Sequence, residues 1–320
     1  MRALLVSNPN ATTTRPTLTD VIAGALSAEM DLHVEHTKRR DHAGYLAAGA
    51  EHEGYDAIFA LGGDGTVNEV VQGISGTSVK LGVIPGGSTN VWARTLGLPN
   101  DAVDATAALL ARIRKDAHRE VNLGRITVTG ADAEGDDLQR LFAFNAGFGF
   151  DAEVVRLVEQ RYRLKHAVRQ ASFLYCGVLA YLTRYDRESA ITVQVDGGAP
   201  SVVLRTAICC NSSPYTFLGR LPAQLAPDAS LDGGLDLVGV TSLALPGLIR
   251  VARTALRAPA EGRRRRRTVA DLRFVRLWHD RAEFILTSDR PLPVQVDGDY
   301  LGDTTEVRLN HEPAGLTVIA

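Results

Sequence analysis

The sequence predicts an α/β domain on a largely parallel sheet, followed by a mainly β domain. Over the first ~120 residues, strand-like and helix-like segments alternate at short spacing, the pattern of repeated βα units. Beyond Glu120 the helical periodicity gives way to short apolar runs joined by Gly, Asp and Pro turns. A chain of 320 residues also favours two domains over one.

In the first domain, 3–6 reads as a strand and 17–28 as a helix, then 32–36 as a strand and 43–52 as a helix. The apolar run YDAIFA at 55–60 reads as a buried strand, and Val67, Val70, Val71 and Ile74 recur at helical spacing after it. A strand at 80–84 and a helix at 101–115 complete the series. Loops at the carboxyl ends of such strands are where ligands bind. Asn8-Pro9, 62–66 and 85–90 all fall there. In the second domain, strands are expected at 126–128, 141–146, 191–195, 202–210, 235–240, 272–277, 282–286 and 293–296, forming a sandwich-like pair of sheets. Helices are expected within about 151–184 and near 245–256.

Composition narrows the classes. With 45% hydrophobic and 22% charged residues, the chain is ordinary for a soluble globular protein. The formal net charge of −2 gives no global drive toward nucleic acid, so no nucleic-acid partner is expected. The three cysteines, Cys176, Cys209 and Cys210, lack metal-ligand spacing and fit buried free thiols in a reducing cytosol. The eight histidines show no ligand spacing either. The N-terminal residues read as a strand rather than a signal peptide, and the longest apolar stretch, 172–182, is too short to cross a bilayer.

The most informative segment is Gly62-Gly63-Asp64-Gly65-Thr66, set between a strand and a helix. Glycines there admit a ligand close to the backbone, and the helix start offers unpaired N–H groups to an anion. An Asp in that setting suits a metal bridging phosphates, or a proton acceptor, better than phosphate itself. No Gly-Lys-Ser/Thr follows, so this is not a Walker A loop. By spacing alone, Asp228 and Asp232 read as turn residues. Asp297-Gly298-Asp299 reads as a hairpin turn. The segment Asn145-Ala146-Gly147-Phe148-Gly149-Phe150 reads equally as a packing turn or a ligand-lining one.

GGDGTVNEV at 62–70, PGGSTN at 85–90, FNAGFGFDAEV at 144–154, LAPDASLDGGLDLV at 225–238 and VDGDYLG at 296–302 resemble the diacylglycerol kinase catalytic-domain superfamily. That superfamily includes the bacterial diacylglycerol kinases, the YegS-like lipid kinases and the sphingosine kinases. The resemblance spans nearly the whole chain. It implies a Rossmann-like, NAD kinase-like ATP-binding domain at 1–122 plus about 303–320, and a β-rich lipid-substrate domain at 123–302, with the active-site cleft between them. It also implies an ATP-dependent lipid kinase of phospholipid biosynthesis with Mg²⁺ as cofactor. Asn8, Gly62, Gly63, Asp64, Gly65, Thr66, Gly86, Gly87, Ser88, Thr89 and Asn90 then match nucleotide-binding positions. Asp228, Asp232 and Asp297 match the loop that holds a structural magnesium ion. Asp299, with Asp64, takes the catalytic role, Asp299 as the base for the lipid hydroxyl.

Two positions depart from the family pattern: Val91, where many relatives carry Asp, and Asp299, where they carry Glu. The expected product is phosphatidic acid from diacylglycerol. The rival readings are an NAD kinase, a sphingoid or phosphatidylglycerol kinase, and a non-catalytic nucleotide-binding protein. Asn68-Glu69 directly after the glycine loop, and the late VDGD, favour the lipid-kinase branch. A membrane substrate implies a cytoplasmic protein held peripherally on the anionic inner face of the cell membrane. Arg263–Arg267, or the basic residues Arg156, Arg161, Arg163, Lys165, His166 and Arg169, are the candidate contacts. A homodimer through a sheet edge is left open.

Overall fold

The computed structural model describes residues 1–130, 135–160, 189–200, 202–257 and 267–320. The expected helix beyond Gln160, the stretch 172–182 with Cys176, the basic residues from Arg161 to Arg169, and Arg263–Arg266 lie outside the described residues. The chain divides into two units, Met1–Leu123 with Pro313–Ala320, and Gly124–Glu312. The last strand, Asp299–Val318, runs through this boundary at Pro313 without a break.

In the first unit, β1 (Arg2–Ser7), β2 (Asp31–His36), β3 (Ala57–Gly62) and β4 (Lys80–Pro85) are parallel, in the order β2-β1-β3-β4. Val318, near the end of the last strand, pairs in parallel with Leu81 beyond β4. β3 is buried at every position, which is why its sequence is continuously apolar instead of alternating. The sheet is joined by α1 (Pro16–Ser27), α2 (His42–Ala48), α3 (Asp64–Ile74), α4 (Val91–Thr95) and α5 (Ala102–Ile113). α3 buries Val67, Val70, Val71 and Ile74, the stripe expected from its spacing. Asp101 caps α5 by accepting from Val103 N and Asp104 N.

The second unit is mostly β. Its described strands are β5 (Arg119–Val128, from Gly124 onward), β6 (Leu138–Phe142), β7 (Asn145–Gly149), β8 (Ile191–Val195), β9 (Val202–Leu204), β10 (Thr206–Cys210), β11 (Thr216–Leu218), β12 (Leu221–Ala223), β13 (Leu235–Val240), β14 (Val275–Arg281), β15 (Glu283–Val296) and the greater part of β16 (Asp299–Val318). Two helices accompany them, α6 (Phe150–Gln160) and α7 (Leu245–Ala255).

β15 joins two ladders. Its first half pairs with β8, and its second half with β7 in the order β14-β13-β10-β7-β15. The register shifts between Thr287 and Leu292, where Ser288-Asp289-Arg290-Pro291 interrupts the apolar pattern. β15 thus carries two ladders of the same sheet, and one buried cluster gathers residues of both. Phe284, Leu286, Leu292 and Val294 of β15 meet Ile191 and Val193 of β8 and Phe148 of β7 there.

The α/β domain and the β-rich sandwich-like domain predicted from the sequence are therefore both present. Several elements differ from expectation. The runs 282–286 and 293–296 form one strand because the polar bend is bridged by a bulge. The run 202–210 is two strands separated at Arg205. Asn145–Gly149 is not a turn but a fully buried central strand between β10 and β15.

Candidate functional site

In the first unit, Asn8, Gly62 and Gly86 follow the carboxyl ends of three neighbouring strands. Ser7 pairs with Leu61, and Gly62 with Pro85. The three loops therefore meet because their strands are adjacent, not because they are close in sequence. Gly86 N donates to Gly62 O at 2.7 Å, and Thr13 N donates to Gly86 O at 2.9 Å.

The glycines are required by this backbone-to-backbone approach. A Cβ on Gly87 would lie 2.7 Å from Gly63 Cα, and one on Gly86 would lie 2.9 Å from Gly62 Cα and 2.6 Å from Thr14 Oγ1. Gly86→Ala is accordingly expected to lower stability by roughly 1–3 kcal/mol. The measurement is a urea melt, with the midpoint falling at unchanged slope.

Within the loops, several predicted residues bond to protein. Asn8 Nδ2 donates to Thr66 Oγ1 at 2.9 Å, and Thr66 is buried. Asn90 has φ 49°; its Oδ1 accepts from Gly87 N at 2.8 Å, and its Nδ2 donates to Gly87 O and to Asn100 Oδ1. Asn8, Thr66 and Asn90 thus hold the loops in shape. Gly65 and Ser88 are exposed, Gly63, Asp64 and Thr89 half-buried, and Gly62 and Gly87 buried.

Gly65 differs from the other loop glycines. It lies in the first turn of α3, and a Cβ there meets no atom within 4 Å. Glycine costs a helix about 1 kcal/mol relative to Ala, and no protein neighbour at this position requires it. A glycine kept with open space around its α-carbon suits close approach by something other than protein.

Asp64 Oδ1 accepts from Trp92 N at 3.2 Å. Its charge also acts on Arg94, a half-buried side chain whose pKa burial lowers and Asp64 raises in opposition. Sequence reasoning overlooked Arg94. Its signal was a basic residue four positions after Asn90, one turn into the helix that follows the second glycine loop. The neighbouring departure, Val91, is 5% exposed, so an apolar side chain suits the place it occupies.

In the second unit, Val296 pairs with Asp299 across a two-residue turn, Asp297 at φ 49° and Gly298 at φ 89°. Two consecutive positive φ values make this the Asp-Gly hairpin turn expected from the sequence. The Asp297 carboxylate turns back onto the start of β7. Its Oδ2 accepts from Ala143 N at 2.8 Å, and its Oδ1 accepts from Phe144 N and Asn145 N at 2.9 Å each. Asp299 heads β16 and is half-buried.

The expected magnesium set does not assemble. Asp297 commits both oxygens to three N–H groups, and Asp228 and Asp232 are exposed. Among the described residues no three His, Cys, Asp or Glu side chains converge as a metal-holding group. Asp228 instead acts on Asp236, a buried carboxylate whose pKa is raised first by burial and also by Asp228. Asp236 accepts from Asp280 N at 2.9 Å and lies 2.8 Å from His279 Nδ1.

A second network went unread in the sequence. Tyr215 Oη donates to Asp151 Oδ1 at 2.6 Å, and Gln295 Nε2 donates to both Asp151 Oδ2 and Asn145 Oδ1 at 2.8 Å. Burial raises the pKa of the Asp151 carboxyl, while the Tyr215 and Gln295 hydrogen bonds lower it. The thiols of Cys209 and Cys210 are buried and pushed up by that burial, so both are inert core side chains. Among the described residues no helix is long and apolar enough to cross a membrane.

Residues 2–126 match the family described as the diacylglycerol kinase catalytic domain. A diacylglycerol kinase of Mycobacterium tuberculosis strain H37Rv is 30% identical over 209 residues, covering 65% of this chain and 62% of the relative. The chain thus spans less than two thirds of that relative's length. A crystal structure of a diacylglycerol kinase from Bacillus anthracis strain Sterne superposes with a TM-score of 0.67 at 20% identity, covering 99% of this chain and 96% of the other. Yeast NADH kinase, crystallised with NADH, superposes with a TM-score of 0.55 at 10% identity, covering 99% and 82%. At those identities the two structures speak for the fold alone. The motif resemblance and the match over residues 2–126 agree: this part of the chain is similar to the diacylglycerol kinase catalytic domain.

Proposed function

We propose that this protein is an ATP-dependent lipid kinase that transfers the γ-phosphoryl group to the hydroxyl of a membrane lipid. Diacylglycerol is the first candidate acceptor and phosphatidic acid the product, made at the inner face of the cell membrane. The observation that supports this most is the pair of glycine loops joined through Gly86 N and Gly62 O, beside a Gly65 that no neighbour among the described residues requires.

Phosphoryl transfer asks little covalent help of a protein. It asks for positioning, charge neutralisation and a base for the incoming hydroxyl. MgATP enters as the substrate. The N-terminal turn of α3 and the glycine loop at 86–90 suit its phosphates. Asp64 is the loop's own carboxylate toward the substrate magnesium, and Arg94 balances its charge. Asp299 takes the proton from the lipid hydroxyl as its oxygen attacks the γ-phosphorus and ADP departs.

The test is a radiolabelled-ATP assay over a panel of diacylglycerol, a sphingoid base, phosphatidylglycerol and NAD in mixed micelles. Label in phosphatidic acid supports the reading. Label only in NADP, or ATP binding without any turnover, overturns it. At the nucleotide loop, Gly65→Ala is expected to leave the melting temperature unchanged or raised while weakening nucleotide binding about tenfold or more. Calorimetric titration with ATP analogues measures the second effect, and unaltered affinity would remove Gly65 from the site.

A further inference from the structure

Helix α7 is amphipathic but carries its apolar residues on two stripes, only one of which is covered. Leu248, Val251 and Ala255 face the unit's interior, and Gly247 lies against the Phe274 ring. Leu245, Ile249 and Ala252, spaced four and three residues apart, share a second stripe that faces outward. Leu245 is 47% exposed and Ile249 50%. Beside that stripe, Arg250, Arg253 and Arg257 are exposed at spacings of three and four, and none forms an ion pair with a described residue.

The hairpin β11–β12 adjoins this helix. β12 packs on α7, and Gln224 N just after it donates to Ala255 O at 2.9 Å. The hairpin's tip exposes Leu218 at 45% and Leu221 at 48%, around Gly219 and Arg220. Among the described residues of the second unit, the large hydrophobics that stand exposed are Val203 and these four. Four of the five therefore fall on two touching elements, which is not how singly scattered surface hydrophobics are distributed.

The charge around them has one sign. Neither 212–227 nor 237–257 contains an Asp or Glu, although the whole chain has a formal net charge of −2. The attraction is local to this face. An outward apolar stripe flanked by arginines is the layout of a helix lying in the headgroup region, with leucines reaching the acyl boundary and guanidinium groups at phosphate depth. We propose that α7 and the β11–β12 hairpin form the surface by which the protein docks on an anionic lipid bilayer. The proposal names the partner surface of the lipid-kinase reading, but its measurement needs neither ATP nor turnover.

The experiment is vesicle sedimentation of the full chain without nucleotide. Vesicles are of phosphatidylcholine alone, or of equal parts phosphatidylcholine and phosphatidylglycerol. Each arginine near such a surface is worth roughly fivefold in partitioning. Changing Arg250→Gln, Arg253→Gln and Arg257→Gln together should therefore weaken binding to the anionic vesicles roughly a hundredfold. Leu245→Ser with Ile249→Ser should weaken binding while the preference for anionic over neutral vesicles persists. Circular dichroism melts of both variants separate loss of docking from loss of fold, since the altered side chains are exposed.

Turnover on a short-chain soluble diacylglycerol should be unchanged in both variants if the kinase reading holds. Its absence in the parent protein would overturn that reading and leave the docking result standing. Equal binding of the parent protein to neutral and anionic vesicles would overturn the docking proposal. So would undiminished binding of the arginine variant. A dimer that dissociates in the Leu245→Ser, Ile249→Ser variant, with vesicle binding intact, would assign the surface to a second copy and overturn it as well.

Discussion

Asp299→Asn should lower phosphoryl transfer roughly 10²–10⁴-fold, the usual worth of a positioned general base. Nucleotide affinity should be unchanged. The side chain is mounted on a stiff support: Asp299 pairs with Val296 across the two-residue turn and starts the longest described strand. Asn keeps the size and the hydrogen-bonding shape but cannot accept the proton. Asp299→Glu restores the chemistry with one more methylene, so partial recovery of kcat is expected there. Single-turnover assays on both variants decide the matter. Turnover of Asp299→Asn equal to that of the parent protein would dismiss the base, and an equal loss in both variants would point to a structural role.

Asp297→Ala should be the most destabilising single change in this region. Three main-chain N–H groups, those of Ala143, Phe144 and Asn145, share one carboxylate, and all three residues are buried. Leaving them without an acceptor costs roughly 3–9 kcal/mol in total, given about 1–3 kcal/mol for each stranded buried donor. The melting temperature should fall by roughly 10 °C for a chain of this size. Part of that loss is Ala at a positive φ, so Asp297→Asn is the necessary companion. Asn tolerates the left-handed backbone and keeps one acceptor, and it should recover a portion of the stability. If Asp297 were instead a magnesium ligand, a chelator would destabilise the parent protein and leave Asp297→Ala unaffected. Equal melts of the parent protein with and without chelator are the expected result.

Much of the first unit's loop region was legible because it is local. The strand–glycine–helix passage at 57–74 is written in consecutive residues: a continuous apolar run, then glycines, then a stripe at helical spacing. The Asp297-Gly298 turn was legible for the same reason, since only a few residue types accept two positive φ values in succession. The carboxylate-to-backbone clamp of Asp297 was not. Nothing in the pattern around residue 297 announces donors more than 150 positions earlier. Asp236 and Asp151 were hidden in the same way. Each is a carboxylate on a buried element whose partners, His279 and Tyr215, come from distant strands and loops. The bent course of β15 was masked by Ser288–Pro291, where polar residues interrupt the alternation without interrupting the backbone ladder.

By itself the sequence determined the two-part architecture, the loop positions and the family resemblance, because periodicity, glycine placement and motif order are properties of neighbouring residues. The tertiary structure decided which of those residues serve the scaffold and which face outward. Asn8, Thr66 and Asn90 turned inward to hold the loops, whereas Gly65 was left open. Asp297 became an anchor for β7 instead of joining Asp228 and Asp232. These outcomes depend on which strands become neighbours, and hydrogen-bond donors brought together by a sheet carry no mark in the linear order of the chain.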